Sequence, residues 1–321
     1  MAKYSQWACY FNGFDEYVSI GNVLGFERTD AFSISAWYTA GPSTNKMLVA
    51  KMGEGSTYPG YYLALDHSFQ LVFALYSDWT GGNRIEVRTN SAFNVGYHHV
   101  VVTYDGSSTA GGVTIYVDGS PVAMTSTYNS LSASTLTSAD LEIGRRNTST
   151  SHLNWGAGNI DDVGFWDKEL TSGEVTWIYN GNCPRALDDI GAPSNLVGWW
   201  RMGDGDTYPT IADNSVNSND GTMQNMDAGN FVRYSAGAQD GLLLDLPEPD
   251  LSSRFIARPG NFLLLDPGNP QMFILTYFLM RGWNTATADW EMWISQDVPD
   301  PVPPVGPCVN VTVASQWEEI E

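Results

Sequence analysis

Basic residues are scarce in this 321-residue chain: 15 Lys and Arg stand against 36 Asp and Glu, a formal net charge of -21. Such a surface repels phosphate backbones and anionic membrane faces, so no nucleic-acid partner is expected. Cysteine is nearly absent. Cys9, Cys183 and Cys308 are odd in number and lack CxxC spacing, which indicates neither a disulfide framework nor a zinc site. Long apolar runs are missing too, since Met272 to Met280 falls well short of the ~18 residues a membrane-spanning helix needs. Membrane insertion is not expected. The opening Met-Ala-Lys-Tyr-Ser-Gln-Trp-Ala-Cys-Tyr holds no apolar segment of signal-peptide length, so the expectation is synthesis in a cytoplasm without signal-directed export.

What the chain does have is glycine, 32 of them, with 13% aromatic residues, a composition that favours sheets joined by tight turns. Period-two alternation recurs in short runs, as in Phe32-Ser33-Ile34-Ser35-Ala36-Trp37-Tyr38, and each run reads as a half-buried strand. Further runs span 47–51, 61–66, 70–76, 84–88, 98–104, 112–117 and 141–144. Asp118-Gly119 between β-formers predicts a type I′ hairpin. Thr171-Ser172-Gly173-Glu174 predicts a capped start to one short helix. About ten strands with short connections predict an antiparallel two-sheet sandwich. Beyond it, Leu196 to Met202 reads as a returning strand, and 236–321 mixes unbroken apolar runs with a Pro-rich stretch, Asp297 to Pro307, that predicts an extended arm.

Six segments in order carry a resemblance: Phe11-Asn12-Gly13-Phe14-Asp15-Glu16-Tyr17-Val18, Phe32 to Trp37, His98 to Gly106, Ile115-Tyr116-Val117-Asp118-Gly119, Leu141-Glu142-Ile143-Gly144 and Ile160-Asp161-Asp162-Val163. Together they resemble the laminin-G-like, concanavalin A-like lectin/glucanase family over residues 9 to 180. The resemblance implies an all-β, jelly-roll sandwich of two antiparallel sheets with one short helix, followed by a β-rich C-terminal module. Expected regions are 1–180 for the sandwich, 181–235 for a linker and returning strand that complete or extend it, and 236–321 for anchoring or oligomerisation. The block Leu196-Val197-Gly198-Trp199-Trp200-Arg201-Met202-Gly203-Asp204-Gly205 is similar to a family segment that usually precedes the Phe-Asn-Gly motif. It either begins a truncated second copy or supplies a missing strand in permuted order, and a lone hairpin cannot bury its own apolar face.

Domains of this type joined to such a block are similar to bacteriophage virion proteins, notably those of marine phages. The expectation that follows is a non-enzymatic virion protein, decorating a capsid, fibre or tail. Its partners would be other virion proteins through 236–321, further copies of itself, and host-surface or environmental glycans. The alternative is a free or cell-associated, calcium-dependent carbohydrate-binding protein. A glycan hydrolase ranks last, because no strand offers the Glu-x-Asp-x-Glu carboxylates that retaining hydrolysis on this scaffold uses. For sugar contact the candidates are Trp79, Trp155, Tyr58 and Tyr61, aromatics beside Asn and Asp in or near loops. By family position a calcium ion would take oxygens from Asn12, Gly13 and Asp161; Asn12 and Asp161 are equally suited to capping loops.

Overall fold

The structure, a computed structural model, describes residues 5, 7–39, 46–55, 57–93, 96–146, 155–182 and 184–233, and the backbone of 260–264, 273–284 and 289–296. Two compact units divide the chain, Met1–Ser235 and Ala236–Glu321. The extended arm expected at Asp297 to Pro307, together with Cys183 and Cys308, lies outside the described residues.

Seventeen strands of the first unit are β1 (Trp7–Asn12), β2 (Tyr17–Gly21), β3 (Phe32–Thr39), β4 (Lys46–Met52), β5 (Gly60–Leu65), β6 (Gln70–Asp78), β7 (Asn83–Ala92), β8 (Tyr97–Tyr104), β9 (Val113–Val117), β10 (Ser120–Pro121), β11 (Met124–Asn129), β12 (Leu141–Ile143), β13 (Ala157–Trp166), β14 (Leu196–Trp200), β15 (Thr210–Ile211), β16 (Gly221–Gln224) and β17 (Phe231–Arg233). They form an eight-stranded sheet, β10-β9-β8-β3-β13-β1-β17 with β14 also on β13, and a nine-stranded sheet, β11-β7-β6-β5-β4-β12-β2-β16-β15. All their pairings are antiparallel, so the all-β sandwich expected from alternation is what the chain builds. In the second unit β18 (Gly260–Leu264), β19 (Phe273–Asn284) and β20 (Asp289–Gln296) make an antiparallel three-stranded sheet.

Alternate residues of the two sheets meet in one core, where Phe32 of the eight-stranded sheet stands 6.1 Å from Phe73 of the nine-stranded one and Phe165 stands 6.3 Å from Tyr61. That period-two burial is what the sequence alternation encodes. Asp118 and Gly119 both take positive φ, 50° and 76°, as a type I′ hairpin requires, and Ser120 pairs Val117 across it.

One helix, α1 (Ser172–Tyr179), begins at a capping box in which the Thr171 hydroxyl accepts from the Glu174 amide and the Glu174 carboxylate accepts from the Thr171 amide. It lies on the outer face of the eight-stranded sheet. Val175 and Ile178 pack with Val101, Tyr116, Trp166 and Trp199, and Ala186 and Leu187 from the following segment extend the same cluster. Burying those apolar side chains at ~25 cal/mol per Å² closes this face to solvent.

Strand β13 organises the rest. Its first half pairs β1 from Asn12↔Ala157 to Cys9↔Ile160, its second half pairs β14 from Val163↔Trp200 to Trp166↔Leu196, and β3 runs along its other edge. Where β1 hands over to β14 the ladder to β3 shifts register, and Asp162 takes φ 42°. The block from Leu196 thus supplies strands to both sheets: β14 joins β13, β16 joins β2, and β17 joins β1.

Candidate functional site

With α1 and residues 184–196 over one sheet, the outer face of the nine-stranded sheet is the broad surface left open. Its residues follow from register. Glu142 pairs Ala50, Ala50 pairs Tyr62, Tyr62 pairs Ala74, and Ala74 pairs Glu86, so these five stand in one row across five strands. Small Ala50, Ala64 and Ala74 are overlaid by larger neighbours: Tyr62 packs over the first two with Met47, and over the third with Met52, Tyr58 and Tyr76.

At the β6–β7 end of this face the aromatics condense into a platform. Tyr62 stacks on Tyr76 at 5.9 Å, Tyr76 on Trp79 at 5.4 Å, and Tyr58 meets Trp79 edge-on at 6.5 Å. The Arg84 guanidinium lies 3.4 Å from the Tyr128 ring centre and 4.6 Å from that of Trp79. The Trp79 amide donates to the Thr57 carbonyl at 2.8 Å and its carbonyl accepts from Arg84 Nη1 at 3.1 Å, which holds the backbone of this residue while Tyr76 and Arg84 pack on its ring. Trp79 remains 42% exposed and Tyr128 39%.

The structure therefore joins Trp79 and Tyr58 but separates the other two sugar candidates. Tyr61 is only 1% exposed; it points into the core and donates its hydroxyl to the Leu24 carbonyl at 2.8 Å. Successive strand residues face opposite ways, so Tyr62 takes the outward position instead. Trp155 packs 6.1 Å from Tyr17 under Arg145, beside β2. Four strand spacings part β2 from β6, ~19 Å, so Trp155 belongs to a second patch. Alternation along β7, Arg84-Glu86-Arg88, was the signal that could have found the charged side of the platform.

The three calcium candidates do not share one place. Asn12 lies opposite Ala157, four residues along β13 from Asp161, a separation of ~13 Å that no single ion bridges. Asn12 instead caps its own turn, its Oδ1 accepting from the amides of Phe14 at 2.8 Å and Asp15 at 3.2 Å. Gly13 sits at φ 75° with Ala157 Cβ 2.7 Å from where a side chain would begin, a turn position that only glycine fills without strain. Among the described residues no group of three or more His, Cys, Asp or Glu is arranged to hold a metal.

Asp161, fully buried, belongs to a different cluster at the β1–β14 handover. Its Oδ1 accepts from the Asp162 amide at 2.7 Å and its Oδ2 from the Tyr97 hydroxyl at 3.3 Å. Asp162 Oδ1 accepts from Trp199 Nε1 at 2.8 Å and lies 4.0 Å from Arg201 Nε; Arg201 Nη2 is 3.7 Å from Asp204, which accepts from the Ser5 hydroxyl and, at 3.3 Å, from the Trp7 amide. Burial, then the charges of Asp162 and Asp204, hold the Asp161 carboxyl well above the usual range, and burial pushes Asp162 up to about 7. These carboxylates knit strand ends together and no glycan reaches them.

Other chemistry-bearing groups are similarly engaged. Ser35 Oγ lies 2.8 Å from His99 Nε2, but both are buried, the ring packs against Trp37 and Tyr179, and burial depresses its pKa to about 3. On the open face Glu86 and Glu142 are four strands apart, ~19 Å, against the roughly 5–9.5 Å of glycosidase pairs. Asp66 and Glu86 share Arg88, at 2.7 and 3.6 Å, so a guanidinium occupies the place between them.

Comparison with known proteins agrees with this architecture. Residues 11–176, just over half of the chain, match a laminin G family described as the concanavalin A-like lectin/glucanases superfamily. Among solved structures, a Bacteroides ovatus protein provisionally described as carbohydrate binding aligns with TM-score 0.50 and 16% identity, over 74% of this chain and 61% of that one. The chain thus spans less than two thirds of that relative. A heptameric SAP-like pentraxin from Limulus polyphemus aligns at TM-score 0.42 and 12% identity, over 60% and 94% of the two chains. The CBM40 of a Ruminococcus gnavus IT-sialidase aligns at TM-score 0.37 and 10% identity, over 51% and 97%. A search of curated proteins finds no match.

Proposed function

This chain belongs to the concanavalin A-like lectin/glucanases superfamily, and we propose that it is a non-catalytic glycan-binding module displayed on a bacteriophage particle. One observation carries the binding reading: of two outer faces rich in aromatics, one is sealed by α1 and residues 184–196, while the other keeps Trp79 and Tyr128 exposed on a braced platform. Sugar rings stack on such faces through their C–H groups while their hydroxyls bond nearby polar side chains. What supports the particle setting is the resemblance of the Trp199 to Gly205 block, joined to a domain of this kind, to virion proteins. Residues 236–321, apolar and Pro-rich in sequence, are the proposed anchor and self-association region. Many copies on one particle convert weak single contacts into avidity.

Glycan-array binding by the purified protein tests the first part: it should fall below detection in the Trp79→Ala, Tyr58→Ala double variant, and unchanged binding sinks the platform. Binding should also be indifferent to EDTA, because Asn12, Gly13 and Asp161 do not converge; loss of binding in EDTA favours a free, calcium-dependent carbohydrate-binding protein. Deletion of 236–321 should abolish incorporation into particles, and normal incorporation refutes the anchor.

A further inference from the structure

Four arginines stand on or beside the open face, and three are committed. Arg84 lies under Tyr128 with Glu86 at 3.9 Å; Arg88 bridges Asp66 and Glu86; Arg145 makes two hydrogen bonds to Glu142 while its guanidinium covers the Tyr17 ring at 3.4 Å. Arg146 differs. Half-buried, with its guanidinium 5.9 Å from the centre of the Tyr58 ring, it has no carboxylate partner among the described residues. The segment that follows, Asn147-Thr148-Ser149-Thr150-Ser151-His152-Leu153-Asn154, contains no acidic residue in a chain otherwise crowded with them.

A half-buried guanidinium with no carboxylate beside it among the described residues keeps its charge and its planar pair of donors available to an anionic ligand. Tyr58 connects it to Trp79, so the open charge borders the aromatic platform rather than an unrelated surface. Resting on the glycan-binding reading above, we propose that Arg146 receives the acid group of an anionic saccharide whose ring lies against Tyr58 and Trp79. Arginine suits this task because its planar fork matches the two oxygens of a carboxylate or sulfate. The net charge of -21 opposes polyanions at long range. At physiological salt that repulsion is screened within ~8 Å, leaving the local contact to decide.

The test uses the full-length protein at physiological salt, titrated calorimetrically with dextran, dextran sulfate and polygalacturonate. At least one acidic polymer should bind ~10-fold or more tightly than dextran. Arg146→Ala should then lose about 10- to 100-fold for it, while Arg146→Lys recovers part, since lysine keeps the charge but not the fork. Arg185→Ala, which removes one positive charge beside Trp177, should change nothing. Preference for dextran sulfate or for polygalacturonate identifies the acid as sulfate or carboxylate. Equal binding of all three polymers, or an Arg146→Ala variant that melts normally and binds as wild type, overturns the proposal while leaving a neutral-glycan platform standing. Failure of every polymer to bind overturns both.

Discussion

The two outer faces of the sandwich are built from the same residue types and do opposite things. On the eight-stranded sheet Trp37 and His99 stack with Tyr179 of the helix within 4.6 to 6.0 Å; on the nine-stranded sheet Tyr62, buried Tyr76 and Trp79 stack at 5.4 to 5.9 Å, and Trp79 is left 42% exposed at the end of the row. The difference comes from what the chain lays over them afterwards. Residues 172–196 cross only one face, so the aromatic row there is core throughout, while the row on the other face ends in the exposed rings of Trp79 and Tyr128.

The largest effect that could break this comparison is Trp199→Ala. It removes a fully buried ring from the helix-covered cluster and strands the Asp162 oxygen that accepts its indole N–H, at a cost of ~3–5 kcal/mol. A fall in Tm of roughly 10 °C or more is expected for a unit of this size. Trp79→Ala should stay within about 1 kcal/mol of wild type, as an exposed ring contributes little to folding. Equal melting losses in the two variants mean that the open face is structural as well.

Buried charge sharpens the contrast further, because the covered face holds titratable groups that the fold keeps neutral. Asp162 is raised from 3.8 to about 7 and Asp161 is raised well above 3.8, so over that window the folded protein retains protons that the unfolded chain has released. Stability from these groups therefore declines as pH rises. His99, lowered from 6.5 to about 3, runs the other way: the unfolded chain gains a proton that the fold refuses, so this contribution rises with pH up to about 6.5. The opposing slopes partly cancel in the wild type. Asp161→Asn removes the Asp161 share of the first slope and leaves His99 untouched, since the amide can still accept from the Asp162 backbone and bond Tyr97. Its Tm relative to wild type should climb steadily from pH 5 to pH 8; a difference that stays flat shows that Asp161 is ionised in the fold.

Much of the scaffold was legible before the structure. Alternation located β3 and β8, Asp118-Gly119 announced its hairpin, and Thr171 with Glu174 announced the helix start, because each is a local property with a local physical cause. Site geometry was less legible. Tyr61 and Tyr62 differ by one position, and only strand phase decides which is wet. Asn12 and Asp161 sit in neighbouring strands, yet the offset that parts them is set by register. The aspartates between Trp199 and Asp220 are scaffolding: Asp206 accepts from the amides of Gly203 and Ala212, and Asp213 from those of Trp199, Ser215 and Asn219. No pattern marked Arg146, since having no carboxylate partner among the described residues is a property of three-dimensional surroundings.

The smallest predicted effect concerns Tyr128, on the edge strand β11. Its ring covers the Arg84 guanidinium at 3.4 Å from one side while Trp79 approaches from the other, and Arg84 in turn holds the Trp79 carbonyl. Tyr128→Ala removes one cation–π contact, worth ~0.5–1 kcal/mol at an exposed site, so the melting temperature should move by no more than a few degrees. Its consequence for binding should be larger than for folding, because Trp79 loses part of the brace that orients it. A several-fold loss of glycan affinity, with enthalpy less favourable and Tm nearly unchanged, is expected by calorimetry. Should affinity stay intact, Trp79 is held by Thr57 and Tyr76 alone, and the platform ends at β6 instead of reaching the sheet edge.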